Sequence, residues 1–535
     1  MEKYIYAFDE GAIRLTKLLG GKGAGLAEMT RMGFSVPSGF TITTEACATY
    51  FNSGENFIND LKPELKKAVV RLEKSAGKKF GDLNEPLFVS VRSGASVAMP
   101  GMMDTILNVG LNDRTVEVMV KNTRDLHFAY INYIGFLRTY GEVVLKIGRD
   151  KFEKQNETWR QYSREELLCV VERFKDIIRT ETGKDFPQEP MEQLISTIEA
   201  VFCSWGNQRA SQYRKLHNIP DNLFTAVNVQ QMVYGNSGNN SGAGVVFSRN
   251  PITGDKKLYG EFLINAQGED VVSGVASPFS IEQLKEINLV VYSELSDNLQ
   301  ALERQFKDMQ DAEFTIENGK LYMLQARSAK RSILAMVKAT VDLVGEGIIS
   351  VEEAVKRVTE KDFEKLLLPK FDPQELRNSK VVSSCTTFFK GAVTGKLVLK
   401  IEKALKADLE GEEDNLIFLI KEKYKDDGRV QKLLGEIGED NLEYMLKRAE
   451  KGIMRNPVVV FVSEASISED EEYFLDVDGR KYVEGDCISV DGTAENIYKG
   501  ELTVLVPTIT DDITTIIKWI LSQSTTVRTN VRWAL

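Results

Sequence analysis

The stretch from 311 to 327, D-A-E-F-T-I-E-N-G-K-L-Y-M-L-Q-A-R, constrains this chain more than any other. Two alternating runs meet at Glu317-Asn318-Gly319, which predicts a β-hairpin. Loop length decides which side chains share a face. A two-residue Asn-Gly loop sets Asp311 and Gln325 on opposite faces. A three-residue loop, with Gly319 in the left-handed position of a bulged turn, sets Gln325 opposite Asp311. The three-residue loop is the expectation. Asp311, Glu313, Gln325 and Arg327 then share one face, and two acids, an amide and a guanidinium suit a magnesium–phosphate site. An exposed hairpin with solvated charges fits the same pattern.

The remaining sequence decides what such a hairpin can serve. A chain of 535 residues fits about three domains of roughly 150 residues each. The net charge of −11 argues against general nucleic-acid binding but leaves nucleotide binding open. Cys47, Cys169, Cys203, Cys385 and Cys487 are scattered and form no C-x-x-C, as expected of a reducing cytoplasm. No signal-peptide layout opens the chain, and no run approaches the ~20 apolar residues of a membrane span. No membrane or nucleic-acid partner is expected.

Along the chain, Tyr4 to Phe8 is strand-like. A glycine cluster with Lys22 at its centre, residues 18–26, precedes a helix over 26–32. Such a loop can present N–H groups and one cation to phosphates, and it can equally serve tight packing. It is no Walker A motif, because no G-K-[ST] follows. A strand over 87–91 ends at Arg92, followed by small residues and a Pro-Gly turn, a pattern for a mobile phosphate-contacting loop or an ordinary surface turn. Residues 110–200 read as mostly helical, with a capping box at Ser163–Glu166 and a stop at Gly183. His127 and His217 are the two histidines; both read as structural. Strand patterns return over 223–275, and a helical stretch near 295–309 leads into the hairpin. Residues 336–380 read as a helical connector. A smaller domain follows over 381–505, and within it 401–452 is Glu/Lys-rich and helical in pattern.

Eight stretches together resemble the pyruvate, phosphate dikinase family. They are G-G-K-G-A-G-L-A-E-M (20–29), V-P-S-G-F-T-I-T-T-E-A-C (36–47), V-S-V-R-S-G-A (89–95), M-P-G-M-M-D-T-I-L-N (99–108), V-N-V-Q-Q-M-V (227–233), S-R-N-P-I-T-G (248–254), G-E-F-L-I-N-A-Q-G-E-D-V-V-S-G (260–274) and E-F-T-I-E-N-G-K-L-Y-M-L-Q-A-R (313–327). They keep order and spacing across roughly residues 1–335. The resemblance implies an α+β fold: an ATP-grasp nucleotide-binding region over 1–335 with a helical insertion, then a small α/β swivelling-type domain over 381–505. It implies ATP and Mg2+ as ligands. Lys22 and Arg92 would contact phosphates, Gln230 and Met232 would lie at the adenine, and Glu261 and Glu269 would line the phosphate side. Asp311, Glu313 and Gln325 would hold Mg2+, and Arg327 would pair with phosphate. Lys22, Arg92 and Arg327 would be the catalytic cations.

The chain also departs from the family pattern. Glu484 to Gly492 matches the close of the phosphohistidine domain, and Phe389 to Gly395 stands where it opens. Between them the histidine-bearing G-G-M-T-S-H segment is absent, for Gly452-Ile453-Met454-Arg455 runs directly into Asn456-Pro457. Ser96 stands where an arginine is expected, and Ile134-Gly135 replaces an arginine pair. Val527 to Asn530 resembles the entry to the pyruvate-binding barrel, so 506–535 is expected to be the truncated start of that linker. The expected function is Mg-ATP binding, with ATP-dependent phosphotransfer or hydrolysis left open and no complete pyruvate-to-phosphoenolpyruvate reaction by this chain alone. The acceptor would be phosphate, water or a histidine on another protein. The alternative is a non-catalytic pseudoenzyme acting as regulatory partner of a full-length dikinase.

Overall fold

The computed structural model describes residues 3–97, 99, 101–152, 159, 161–273, 277–387, 389–400, 415–428, 430–431, 458–463 and 466–522. The chain divides into two compact units, one of residues 1–251 and 256–330, the other of 252–255 and 331–535. Helices and sheets mix in both, an α+β architecture. Among the described residues no helix is long and apolar enough to cross a membrane.

The first unit holds two antiparallel five-stranded sheets. The first sheet contains β1 (Ile5–Ala7), β2 (Gly39–Ile42), β3 (Val89–Ala95), β4 (Thr105–Val109) and β5 (Thr225–Gln231), in the order β1-β2-β5-β3-β4. Period-two alternation sorts its faces. Val91 pairs with Val229, and Val229 with Phe40, so apolar side chains share the core face. Arg92 pairs with Asn228 on one side and Thr105 on the other, so polar residues share the opposite face.

The glycine cluster is helical, not a loop before a helix. Helix α1 (Thr16–Arg31) contains it, interrupted at Gly20, whose φ of 68° breaks the turn. Close approach explains the glycines. A Cβ on Gly20 would lie 1.5 Å from the Gly94 carbonyl oxygen, and one on Gly23 would lie 2.7 Å from Thr41 Oγ1. Glycine removes these clashes and brings α1 hard against β2 and β3.

Helices α2 (Leu126–Thr139), α3 (Arg164–Thr182) and α4 (Pro190–Ser204) cover the core face, with Phe136, Phe174 and Ile198 buried among them. The capping box forms as read: Ser163 Oγ accepts from Glu166 N at 3.2 Å, and Glu166 accepts from Ser163 N at 2.7 Å. Gly183 ends α3 in a left-handed conformation.

The second sheet contains β6 (Gly242–Phe247), β7 (Tyr259–Ile264), β8 (Phe279–Ser280), β9 (Gln310–Glu317) and β10 (Lys320–Ser328), in the order β8-β7-β6-β9-β10. Helix α5 (Gly268–Ser273) follows β7, and α6 (Leu289–Phe306) covers one face through Leu295, Leu299 and Leu302. At the end of β6, buried Arg249 meets Glu303 of α6 at 2.7 Å.

The hairpin corrects the loop expectation. Glu317 pairs with Lys320, so the loop is Asn318-Gly319 alone, with φ of 50° and 80°. These are the angles of a type I′ turn, which matches strand twist. A bulge then shifts the register: Phe314 pairs with Met323, but Glu313 pairs with Gln325, leaving Leu324 extra. Gln325 thus opposes Glu313, and Arg327 opposes Asp311. The bulge undoes the face inversion that the short loop would have caused, so all four side chains share one face.

In the second unit, α7 (Ile333–Gly345), α8 (Val351–Arg357) and α9 (Asp511–Ser522) pack through Val337, Val355, Ile513 and Ile516. A seven-stranded sheet is built from β11 (Val381–Ser384), β12 (Thr386–Thr387), β13 (Ala392–Val398), β14 (Leu416–Lys421), β15 (Val458–Val462), β16 (Cys487–Asp491) and β17 (Asn496–Lys499). Their order is β11-β17-β16-β13-β14-β15-β12, with β13, β14 and β15 parallel. The Gly452–Asn456 junction and the Val527–Asn530 stretch lie outside the described residues, as does most of 401–452.

Candidate functional site

A cleft of about 480 Å³ lies between the polar faces of the two sheets of the first unit. That volume is within the roughly 300–1,000 Å³ of ordinary ligand sites. Its lining mixes apolar residues, among them Leu107, Met232, Val233 and Leu324, with polar ones, among them Arg92, Thr105, Gln230, Gln267, Glu269 and Glu313, a mixture that suits a ligand with an aromatic base and a charged tail.

The sheets meet through charge. Arg92 of β3 donates from Nη2 to Glu313 Oε2 of β9 at 3.1 Å, across 221 residues of sequence. Arg92 lies within the strand, which runs on through Ala95, rather than at its end as expected. Arg327 Nε donates to Asp311 Oδ2 at 2.7 Å, with Asp311 buried and Arg327 half-exposed. Burial alone would raise the Glu313 carboxyl, but Arg92, Lys22 and Arg327 hold it below its ordinary value. Lys22 has the reverse problem. Burial lowers its ammonium to about 7, and the nearby Arg92 and Arg327 add to that, with Glu313 opposing. Three cations and two carboxylates therefore converge where a polyanion would relieve the cation–cation repulsion.

Other expected residues are placed less uniformly. Gln230 lines the cleft, but its Nε2 donates to the Pro37 carbonyl at 3.2 Å. Met232 lines the cleft, and its own N–H donates to Phe88 O at 2.9 Å. Glu269 sits on α5 and lines the cleft. Glu261 lies on β7 in register with Val245, which pairs with Glu313, so it shares their face two strands away. It is exposed and outside the cleft lining.

The loop after β3 is anchored at Met99. Met99 is buried beside Trp205 and Ala210. His127 Nε2 meets the Tyr162 carbonyl at 2.8 Å, and His217 stacks on Tyr213 with centroids 4.1 Å apart.

Asp311, Glu313 and Gln325 offer the hard oxygen donors that Mg2+ takes. Both carboxylates are paired with guanidinium groups, and among the described residues no three His, Cys, Asp or Glu side chains gather as a metal cluster. The donor set fits a magnesium ion that arrives with phosphate oxygens, not a closed protein cage.

Sequence reasoning did not find Leu107, Thr105, Gln267 or Leu324. Thr105 and Leu107 alternate within a recognisable strand, so their shared face was readable. Leu324 enters the cleft wall through the bulge, for which the sequence carries no local mark.

A family model described as "Pyruvate phosphate dikinase, AMP/ATP-binding domain" matches residues 16–60, 55–288 and 280–346. The pyruvate, phosphate dikinase of Clostridium symbiosum is 42% identical over 544 residues, covering 97% of this chain and 60% of that protein. That of Rhizobium meliloti is 40% identical, covering 99% and 62%. That of Giardia intestinalis is 40% identical, covering 94% and 58%. The chain thus spans about 58–62% of the length of these relatives.

Proposed function

We propose that this chain, which belongs to the pyruvate, phosphate dikinase family, binds Mg-ATP in the cleft of its first unit, arranged as an ATP-grasp fold. The observation that carries the reading is the Arg92–Glu313 contact at 3.1 Å in the wall of a cleft that Leu107, Met232 and Leu324 also line. The adenine would lie against Leu107, Met232 and Val233, with Gln230 behind it. Lys22, Arg92 and Arg327 would take phosphate oxygens, releasing the carboxylates of Asp311 and Glu313 for Mg2+ together with Gln325. Magnesium, when bound, neutralises charge on the polyphosphate. Glu269 would face the phosphate side, and Glu261 would bound it from the neighbouring strand.

The chemistry of this site would be ATP-dependent phosphoryl transfer or hydrolysis. The second unit would be a reduced relative of the swivelling phosphohistidine domain, without the histidine-bearing segment. The acceptor would be phosphate, water or a histidine on another protein, in a cytoplasmic setting. The missing histidine favours a second reading, a non-catalytic regulatory partner of a full-length dikinase, since phosphohistidine chemistry needs its nucleophile.

Calorimetric titration with ATP, with and without Mg2+, tests the ligand. Release of AMP and ADP with phosphate, with pyruvate and with a full-length dikinase then tests turnover. Absence of ATP binding overturns both readings. Binding without turnover in any arm selects the regulatory partner.

A further inference from the structure

Strand β9 carries carboxylates at both of its ends. Asp311 and Glu313 stand near its start and Glu317 at its close, about 20 Å beyond Asp311 and about 13 Å beyond Glu313 at strand rise. Glu317 grips the other wall. Its Oε1 accepts the backbone N–H of Tyr234 at 2.8 Å. The turn itself is tied to the residues just before β6: Asn318 N donates to Ser241 Oγ at 2.9 Å, and Gly319 N donates to Asn240 O at 2.8 Å. Tyr234 directly follows Met232 and Val233, which line the cleft.

The segment is held from its other side as well. The Tyr234 hydroxyl donates to Asn108 Oδ1 at 3.0 Å, and Asn108 Nδ2 donates to Asn132 Oδ1 at 3.2 Å. Gln267 Nε2 donates to the same Asn132 oxygen at 3.3 Å and to Asn236 Oδ1 at 3.0 Å. Every one of these side chains is buried or half-buried. A half-buried carboxylate spent on one backbone N–H, where a serine or glutamine would close the bond, needs a reason. Rigidity of the strand supplies one: fixing Tyr234 to β9 fixes the base-facing wall to the acid face.

We propose that Glu317 is a positioning residue, setting the distance between the base-facing segment 232–235 and the Asp311/Glu313 face so that both ends of one nucleotide are met together. This inference rests on the nucleotide reading above. It also separates from it, because a bare triphosphate uses only one end of the strand.

The test compares Mg-ATP with Mg-tripolyphosphate on the whole chain, the second measured by competition against the first. Glu317→Ala is expected to weaken ATP about tenfold, the scale of a lost charged hydrogen bond, while tripolyphosphate changes by less than about twofold. Glu317→Gln keeps an acceptor and is expected to stay within about threefold of the parent for both probes. Should Glu317→Ala fail to fold, Glu317→Asp draws the carboxylate back by one methylene from the Tyr234 N–H and is expected to give a smaller loss, again confined to ATP. An equal loss for both probes would make Glu317 a general structural residue and overturn the inference. Unchanged ATP affinity in Glu317→Ala, or in the substitute Glu317→Asp, would overturn it alone, as would tripolyphosphate failing to compete. If the parent chain binds neither probe, the nucleotide reading falls and this inference falls with it.

Discussion

Raising the pH should weaken ATP binding through Lys22, with a measurable uptake of protons. Without ligand, burial and the neighbouring Arg92 and Arg327 hold the Lys22 ammonium at about 7, against an ordinary 10.5. A triphosphate reverses the local charge and restores the ammonium. The sign follows from linkage: the complex binds a proton that the free protein has lost. At about pH 8 the free amine is about 10% protonated, so binding takes up about 0.9 proton; at about pH 6 it takes up about 0.1. Between those values affinity should fall about tenfold, or about 1.4 kcal/mol. Calorimetry in two buffers of different ionisation enthalpy reads the uptake directly. Lys22→Arg keeps a cation that does not titrate, and should bind without uptake from this site. Equal uptake by parent and Lys22→Arg, or no uptake by the parent at about pH 8, would refute the argument. For folding without ligand, the unfolded chain holds this proton and the native chain does not between about 7 and 10.5, so the Lys22 contribution becomes more favourable as pH rises through that window.

Three further outcomes follow from geometry. Asp311→Asn keeps shape but removes the charge, so the magnesium-dependent part of ATP affinity should fall roughly ten- to a hundredfold by calorimetry. Gly20→Ala places a methyl 1.5 Å from the Gly94 oxygen at a φ of 68°; it should cost more than about 3 kcal/mol in denaturant unfolding, whereas Gly135→Ala, with nothing within 4 Å, should be neutral or slightly stabilising. Glu303→Ala removes the carboxylate that meets buried Arg249, and the melt should show a loss of about 3–5 kcal/mol.

Much of this site was written locally. Asn318-Gly319 announced a turn, alternation announced the strands, and Ser163 with Glu166 announced a helix start, because each depends on neighbours a few residues away. Lys22, Arg92, Asp311 and Glu313 were identifiable through motifs, and the structure brings them together. The glycine cluster's conformation is not legible locally: its helical form depends on contact with Gly94 and Thr41, which lie on strands distant in sequence. The hairpin shows the same division most sharply. Its composition was sufficient to predict four polar side chains on one face, but that face arises from a two-residue turn corrected by a bulge at Leu324. Period two makes every register shift invert a face, so tertiary packing had to decide where the extra residue went. The contacts that join the two walls of the cleft, Arg92 with Glu313 across 221 residues and Glu317 with Tyr234 across 83, exist only once both sheets stand opposite each other.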